Sequence, residues 1–450
     1  MGESFDLVVI GTGAGGSAPA RRCRNAGWRV AVVDDQPYGG TCALRGCDPK
    51  KVLVGAADLV DWQRRMAGHG VAADARIEWP TLMRFKRTFT DPVPASREAG
   101  LQKDGIVAYH SAARFIGEDR IAVAGRELEA HHFVIASGAE PKRLDIPGEE
   151  HLRTSTDFLE LDQLPKRIAL VGAGYIAFEF AHIARRAGAE VVMLGRERAL
   201  TRFDQDLVQR LVAHTQTIGV DVRLNAPATA IEACGSGYRV HLRGPSGDEA
   251  LEADLVVHAA GRVPKTSELN LGTANVRTDA RGAVEVNEYL QSMSNPRVYA
   301  TGDATLPAGS LPLTPVATHE GLVVASNLLH GNQKRPDYRG IPSVVFTIPP
   351  LAGVGLTEAE ARRHQLDVQV RAEDTSQWYS NRRVNESCAM FKTIVENGSD
   401  RILGAHLLGP HADEVINLFA LAIRHGLTAT DLTHQIYAYP TAGSDLSYMV

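Results

Sequence analysis

The sequence predicts an α/β fold in which one structural unit occurs twice, followed by a smaller α+β segment. Two short apolar runs, Phe5–Ile10 and Arg167–Val171, each lead into a glycine-rich turn, a helical stretch and a second apolar run. Such runs are typical of buried parallel strands, and the stretches between them are typical of crossover helices. The chain between the two units, including Asp91–Pro94, is predicted to be less regular. Strand-like runs and a helix near 412–425 predict the α+β segment.

The composition of the 450-residue chain excludes several other classes of protein. Hydrophobic residues make up 44% and charged residues 22%, which argues against disorder, collagen or coiled coil as an overall description. The net charge is −5, so no basic surface for nucleic acid is expected. No apolar stretch reaches the roughly 18 residues that span a bilayer, and the N-terminus lacks a signal-peptide pattern. We therefore expect a cytoplasmic protein with no nucleic-acid or membrane partner.

Both glycine-rich turns have the pattern of dinucleotide-binding sites. Such glycines permit a tight turn and let a pyrophosphate approach the start of the following helix. The alternative is that they serve tight turns only, but two copies, each between a strand and a helix, favour two Rossmann-like domains. The residues that meet the pattern are Gly11, Gly13 and Gly16 in the first unit, and Gly172, Gly174 and Ala177 in the second.

The ends of the second strands distinguish the two sites. The first unit ends in Asp34, where a carboxylate can accept hydrogen bonds from the ribose of FAD or NAD. The second unit has Leu194-Gly195 at this place, with no acid, and then Arg196, Arg198 and Arg202. Arginine suits a 2′-phosphate, so this site is predicted to prefer NADPH. A solvated basic loop is the alternative.

Two cysteines five positions apart are the most specific signal. Cys42 and Cys47 do not share a face of a regular helix. Gly46 and Pro49 would let the backbone bend enough to bring the thiols within bonding distance. In a cytoplasmic chain such a pair is catalytic or metal-binding. Neighbouring residues do not offer two further zinc ligands, so we expect a redox pair and no metal site.

Together with other segments, this stretch resembles the flavin-dependent pyridine nucleotide–disulfide oxidoreductases, the family of glutathione reductase, dihydrolipoamide dehydrogenase and mercuric reductase. The resemblance runs nearly end to end and includes Ala136–Ala139, Ala300–Asp303, Leu313–Ala317 and Val345–Pro350. It implies an FAD domain with an inserted NAD(P)H domain, and homodimer formation through a C-terminal dimerisation domain. The apolar runs and turns place the parts at 1–146 (FAD), 147–264 (NAD(P)H), 265–340 (FAD return segment) and 341–450 (dimerisation).

The resemblance also implies roles for individual residues. Cys47 would lie against the flavin, and Cys42 would be the outer thiol that meets the substrate. Lys50 would lie near flavin N5 with Glu179 as its ion-pair partner, and Tyr175 would gate the nicotinamide pocket. A cation beside the ring favours the reduced flavin and the thiolate. Further cofactor contacts are expected from Thr41, Ala136, Gly138, Gly261, Thr314 and Asp303, the last of which would hold the ribityl chain.

The C-terminal motif departs from the family pattern. Disulfide-reducing members have His-Pro-Thr-x-x-Glu, in which the histidine is an acid–base group supplied to the other subunit. Here Tyr439 replaces the histidine and Ser444 the glutamate. A tyrosine, whose pKa is ordinarily about 10, is a poor proton shuttle but suits metal or soft-electrophile chemistry. Mercuric reductase also has tyrosine there, although its C-terminal cysteine pair has no counterpart after Cys388.

We therefore predict an NADPH-dependent FAD oxidoreductase that passes electrons through the flavin to the Cys42–Cys47 disulfide. The small acceptor would be a disulfide or persulfide, or a soft metal ion. Two alternatives stay open, a flavin-only reductase of quinone or oxygen with an inert disulfide, and a redox-sensing flavoprotein dimer. Arg45 could lower a thiolate pKa, hold an anionic substrate or point to solvent.

Overall fold

A computed structural model describes residues 3–245 and 247–450 and divides into two compact units. No helix within these ranges is both long enough and apolar enough to cross a membrane. The first unit comprises Met1–Lys50, Phe85–Lys142 and Arg262–Tyr338, and the second comprises Lys51–Arg84, Arg143–Gly261 and Arg339–Val450.

The described strands and helices follow in chain order. The strands are β1 (Glu3–Ile10), β2 (Val30–Asp34), β3 (Val107–His110), β4 (Ala113–Phe115), β5 (Arg120–Val123), β6 (Arg126–Ile135), β7 (Ala139–Pro141), β8 (Arg167–Val171), β9 (Glu190–Leu194), β10 (Val220–Arg223), β11 (Ala228–Cys234), β12 (Gly237–Gly244), β13 (Gly247–Ala253), β14 (Leu255–His258), β15 (Arg262–Pro264), β16 (Val298–Ala300), β17 (Ser343–Val345), β18 (Leu351–Gly355), β19 (Val368–Asp374), β20 (Met390–Glu396) and β21 (Ile402–Leu408). The helices are α1 (Ala14–Asn25), α2 (Gly40–Arg45), α3 (Cys47–Arg65), α4 (Trp79–Thr90), α5 (Val93–Lys103), α6 (Ser155–Phe158), α7 (Tyr175–Arg186), α8 (Gln205–Thr217), α9 (Thr314–His330), α10 (Glu358–Arg363), α11 (Tyr379–Arg382), α12 (Ala412–His425) and α13 (Ala429–His434).

A mixed sheet with the strand order β3-β2-β1-β6-β5-β4 forms the centre of the first unit, and β16 pairs with β6. β1 is parallel to β2 and β6, with Ile10 opposite Val33 and Ile135. Helices α1 and α9 pack closely, since a Cβ atom on Gly321 would lie 2.6 Å from the carbonyl oxygen of Gly15. Because the carboxyl ends of parallel strands meet at one edge, the residues after β1, β2, β6 and β16 are brought together there.

The second unit contains two larger sheets. One is parallel, with the order β10-β9-β8-β14, and the other is antiparallel, with the order β17-β18-β21-β20-β19. A three-stranded antiparallel sheet, β11-β12-β13, completes the unit. Helix α7 follows β8 directly, and α12 packs on β18 and β21.

The predicted α/β fold, with two Rossmann-like units and an α+β C-terminal segment, is confirmed. The stretch of chain between β2 and β8, which joins the two Rossmann-like repeats, is more regular than predicted, because it contains α3, α4 and α5. Pro94 lies in the first turn of α5, where proline is tolerated because the first helical N–H groups have no partner within the helix.

Candidate active site and cofactor sites

Glycines hold the first dinucleotide turn in a shape that side chains would prevent. Gly11 has a φ of +107°, and a Cβ atom there would lie 2.2 Å from the carbonyl oxygen of Ala136. A Cβ atom on Gly16 would lie 2.3 Å from the oxygen of Gly11, and one on Gly40 would lie 2.4 Å from Gly13 Cα. The backbone at the start of α1 is therefore packed tightly enough to form a cradle for a pyrophosphate.

Asp34 is fixed at the end of β2 by three hydrogen bonds. Its Oδ2 accepts from the Thr12 amide at 2.8 Å and from Thr12 Oγ1 at 2.6 Å, and its Oδ1 accepts from the Gln36 amide at 2.9 Å. The Thr12 hydroxyl oxygen in turn accepts from the Gly39 amide at 3.1 Å. Thr12, which the sequence interpretation did not single out, thus connects the predicted ribose-binding acid to the segment that leads into the cysteines.

Two buried hydroxyl groups at the same edge of the sheet have no partner among the described residues. They are Ser137 Oγ, between Ala136 and Gly138 after β6, and Thr301 Oγ1, after β16. β16 pairs with β6 in parallel, which brings the segment before Asp303 alongside Ala136. Unsatisfied buried hydroxyls are costly, so they fit a site for a polar ligand. Together with the glycine cradle, these residues fit FAD.

The two cysteines of the predicted redox pair lie on either side of a helix break. Cys42 is in α2, Gly46 ends that helix with φ −144° and ψ −114°, and Cys47 is the first residue of α3. Both thiols are free, and each has the largest influence on the pKa of the other, so they lie close together. The predicted bend is therefore at Gly46 alone. Pro49 lies in the first turn of α3 and does not contribute to it.

The environment of the pair stabilises a thiolate on Cys47. The hydrogen bond from Cys42, the hydroxyl of Thr314 and the positive charge of Lys50 lower the pKa of Cys47 to about 6, against the effect of burial. Thr314 Oγ1 lies 3.6 Å from Cys47 Sγ. The start of α3 adds the positive end of a helix dipole. The pKa of Cys42 is raised by the same hydrogen bond and by burial, so Cys42 keeps its proton.

Arg45 is partly buried, which argues against the solvent-exposed alternative. Burial lowers the pKa of Arg45, and the charges that act on it are those of Asp34, Arg262 and Asp35. The charges that influence Arg45 thus include Asp34, at the predicted ribose end of the FAD site, and do not include the two thiols.

The second dinucleotide turn repeats the first in the other unit. Gly172 has a φ of +133°, and a Cβ atom there would lie 2.1 Å from the carbonyl oxygen of Ala259. The Gly174 position has more space, with 3.8 Å to the same atom. Gly261, after β14, has a φ of +114° and open space around it. Ala177 is buried in the first turn of α7. The turn thus fits the pyrophosphate of NADPH.

Helix α7 presents predicted catalytic residues in different environments. Tyr175, its first residue, is 48% exposed, as a gate over a nicotinamide would require. Glu179 is 1% exposed, and its Oε1 accepts a hydrogen bond from the Phe346 amide at 2.9 Å. The ion pair of Glu179 with Lys50 stays a prediction.

Arg196 and Arg202, the predicted 2′-phosphate contacts, are both exposed, in the segment between β9 and α8.

The C-terminal motif lacks the features of an acid–base pair. Tyr439 is 79% exposed. Ser444 turns back on Thr441, whose amide donates to Ser444 Oγ at 3.3 Å and whose hydroxyl accepts from the Ser444 amide at 3.2 Å. Asp445, whose pKa is raised by burial, is hydrogen-bonded to Ser380. Neither Ser444 nor Asp445 is therefore committed to orienting Tyr439.

Metal ligands are not clustered in the part of the chain that the structure describes, where no group of three or more His, Cys, Asp or Glu residues could hold an ion.

Comparisons with known proteins agree with this arrangement. The family model "Pyridine nucleotide-disulphide oxidoreductase" matches residues 5–321, and the model of that family's dimerisation domain matches residues 341–449. Glutathione reductase of Burkholderia cepacia is 34% identical over 98% of this chain and 97% of its own length. Mercuric reductase of Staphylococcus aureus is 31% identical over 98% of this chain and 81% of its own.

A solved structure is similar throughout. It is the Cu(II) complex of a cysteine-to-serine mutant of the HOCl-induced flavoprotein disulfide reductase RclA from Escherichia coli. The TM-score is 0.88 at 28% identity, and the match covers 100% of this chain and 99% of that one. The predicted family and the predicted cofactors, FAD and NADPH, are confirmed at the level of the family. The chain belongs to the pyridine nucleotide–disulfide oxidoreductases and is an FAD-dependent NAD(P)H–disulfide oxidoreductase.

Proposed function

We propose that the protein is a homodimer that uses NADPH to reduce the Cys42–Cys47 disulfide and passes the electrons to a soft metal ion. The observation that carries the proposal is the asymmetry of the two thiols. The pKa of Cys47 is lowered to about 6, whereas that of Cys42 is raised. The reduced pair therefore holds one thiolate and one thiol at neutral pH.

The electron and proton balance matches this asymmetry. Bound FAD would supply the redox chemistry that turns a hydride from the nicotinamide into an electron pair for cleavage of a disulfide. A hydride carries two electrons and one proton. The electrons break the S–S bond, the proton goes to Cys42, and Cys47 is left as the thiolate. Thr314 and Lys50 then stabilise that thiolate, through the hydroxyl and the positive charge respectively.

The C-terminal motif favours a metal over a disulfide as acceptor. Each thiolate that leaves a cleaved disulfide needs a proton, and a group with a pKa near the working pH supplies it best. A metal ion takes two electrons, or two ions take one each, while the S–S bond re-forms and Cys42 releases its proton to solvent. Tyr439, with no carboxylate committed to it, is adequate only for the second reaction.

A glutathione pocket has little support. Arg21, which resembles an arginine that grips a glutathione carboxylate, is paired with Asp104 at 3.3 Å. The second such arginine is replaced by Leu322. Among the similar proteins, a mercuric reductase and a flavoprotein in complex with Cu(II) both involve metal ions.

The NADPH preference is supported by the arginines after β9. Arg196 and Arg202 are both exposed, which leaves their guanidinium groups accessible to a 2′-phosphate. No carboxylate follows β9 directly that would favour the free ribose of NADH.

Homodimer formation is supported by apolar side chains of the C-terminal segment. Leu418 and Leu421 on α12 are 40% and 53% exposed, and Ile436 is 90% exposed. Large exposed apolar side chains grouped in one segment are typical of interfaces. This segment lies within the match to the dimerisation domain.

An anaerobic NADPH titration tests the relay. The wild-type protein should take up two electron pairs per flavin, with a long-wavelength thiolate-to-flavin absorbance band after the first. Cys42→Ser should take up one pair. Cys388→Ser is the matched control, because Cys388 is 2% exposed and burial raises its pKa, so it should titrate like the wild type. One pair in the wild type would refute the relay and favour direct reduction of quinone or oxygen by the flavin.

The acceptor is tested with the same variants. Turnover with Hg(II) or Cu(II) should exceed turnover with glutathione disulfide and should be lost in Cys42→Ser but not in Cys388→Ser. Faster turnover with the disulfide would refute the metal proposal and leave the relay intact.

A further inference from the structure

Glu320 is a fully buried carboxyl group that the proposed reaction does not use. It lies in α9, 0% exposed, six positions after Thr314. Burial raises the pKa of Glu320. A buried acid is unfavourable unless its oxygens are well hydrogen-bonded, so its partners indicate what it is for.

Three donors from three separate segments meet at this carboxyl group. Oε2 accepts from the Gly302 amide at 2.6 Å. Oε1 accepts from Ser310 Oγ at 2.8 Å and from Tyr338 Oη at 2.7 Å. All of these groups belong to the first unit. Glu320 therefore connects three loops to α9, and one of the three precedes Asp303 directly.

The hydrogen bond of Glu320 with Gly302 acts on the backbone immediately before Asp303. Gly302 has a φ of +62° and begins a single 3₁₀ turn over Gly302–Ala304. A Cβ atom on Gly302 would lie 3.0 Å from that of Ala317 on α9, so the turn is packed against this helix. The short hydrogen bond to Glu320 fixes the orientation of the peptide that joins Thr301 to Gly302, and Asp303 follows Gly302 directly.

We propose that Glu320 is a positioning residue for FAD, which acts through the Gly302 backbone to hold Asp303 in place for the ribityl chain. The inference rests on the proposed function in requiring bound FAD, and it takes Asp303 as the ribityl-binding residue that the family resemblance implies. The inference adds Glu320 to the residues expected to support FAD binding, although this side chain is fully buried and belongs to neither glycine motif. Since α9 also begins with Thr314, one helix then supports both the ribityl-binding acid and the hydroxyl beside Cys47.

The test is FAD affinity of the holoenzyme, followed by flavin fluorescence on serial dilution. Glu320→Ala leaves the Gly302 amide without its acceptor and should weaken FAD binding roughly tenfold to hundredfold. In Glu320→Gln the amide oxygen can accept from Gly302, and the amide nitrogen can donate to the oxygens of Ser310 and Tyr338. This variant should stay within about threefold of the wild type.

Asn327 provides a matched control on the same helix. It is 1% exposed, and its side-chain amide donates hydrogen bonds to the Tyr289 and Lys334 carbonyl oxygens at 3.1 and 2.8 Å. Asn327→Ala should lower the melting temperature while leaving FAD affinity near that of the wild type. Equal affinities in Glu320→Ala and Asn327→Ala would overturn the inference, since Glu320 would then have a structural role only.

A milder variant keeps the test open if Glu320→Ala does not fold. Tyr338→Phe removes one of the three donors and should accelerate FAD release several-fold, whereas unchanged release would contradict the inference. The NADPH titration of the wild type separates the two proposals. Uptake of a single electron pair refutes the relay whatever the affinities are, and equal affinities refute the role of Glu320 while the relay stands.

Discussion

Replacing Thr314 by valine is expected to raise the pKa of Cys47. The hydrogen bond from Cys42, the Thr314 hydroxyl at 3.6 Å and the charge of Lys50 lower that pKa to about 6. Valine has nearly the shape of threonine but cannot donate a hydrogen bond, so the variant removes one of these three influences and leaves the others.

The size of the effect follows from the strength of a hydrogen bond to a charged group. Such a bond contributes about 1.5 kcal/mol at the lower end of its range, which applies here because the Thr314 oxygen is 3.6 Å from the Cys47 sulfur. This corresponds to a rise in the pKa of about 1. At pH 7 the thiolate fraction should fall from about nine-tenths to about one-half.

The assay is a pH titration of the protein after anaerobic reduction by one electron pair. The long-wavelength absorbance of the thiolate beside the oxidised flavin reports ionised Cys47. Because the pKa is lowered, the thiolate is present at high pH and is lost as the pH falls through the pKa. The band should therefore disappear around pH 6 in the wild type and around pH 7 in Thr314→Val.

Thr314→Ser is the control, since it keeps the hydroxyl and should titrate like the wild type. If the valine and serine variants both titrate like the wild type, the Thr314 hydroxyl does not stabilise the thiolate and the reasoning is refuted.

Three further predictions concern the second unit. In steady-state assays, Arg196→Ala should raise the KM for NADPH about tenfold or more and leave the KM for NADH nearly unchanged, because a charge-assisted hydrogen bond to the 2′-phosphate is lost. An equal change in the KM for both nucleotides would contradict this prediction. Arg198→Ala is the control and should have little effect on either KM. Leu421→Asp, on an exposed face of α12, should shift the protein from dimer to monomer in analytical ultracentrifugation, and an intact dimer would exclude this face from the interface. Asp61 forms an ion pair at 2.6 Å with Arg186, whose side chain is only 3% exposed. Asp61→Asn removes the negative charge of this pair and should lower the free energy of unfolding, measured in urea, by about 3–5 kcal/mol. A loss below about 1 kcal/mol would show that the pair is not effectively buried.

Strands that are buried on both faces could be predicted closely from the sequence. β8 and β9 begin and end where the apolar runs do, because a strand covered on both sides must be apolar throughout. Helix α12 was also located, at 412–425. Helices α4 and α5 were missed, since the prolines between them resemble a loop and only packing shows that they fall at a helix start.

The candidate site could be predicted only where a local motif specifies it. The glycine turns, Asp34 and the cysteine pair follow from short-range backbone requirements. The contact of Thr314 with Cys47 joins residues 267 positions apart, and no spacing rule specifies that distance. The hydrogen bonds of Glu320 were missed for the same reason, because its partners come from three loops.

The turn at Thr441 and Ser444 bears on how acceptor chemistry can change within this fold. Thr-x-x-Glu is itself a capping box, so a glutamate at position 444 would keep the turn that serine now makes with Thr441. The adjacent exposed position 439 can accept a histidine without loss of packing. Two substitutions, Tyr439→His and Ser444→Glu, would therefore give this chain the proton-transfer pair of the disulfide-reducing relatives without a change of backbone. For the proposed metal acceptor, the C-terminal motif thus marks a difference of side chains rather than of backbone.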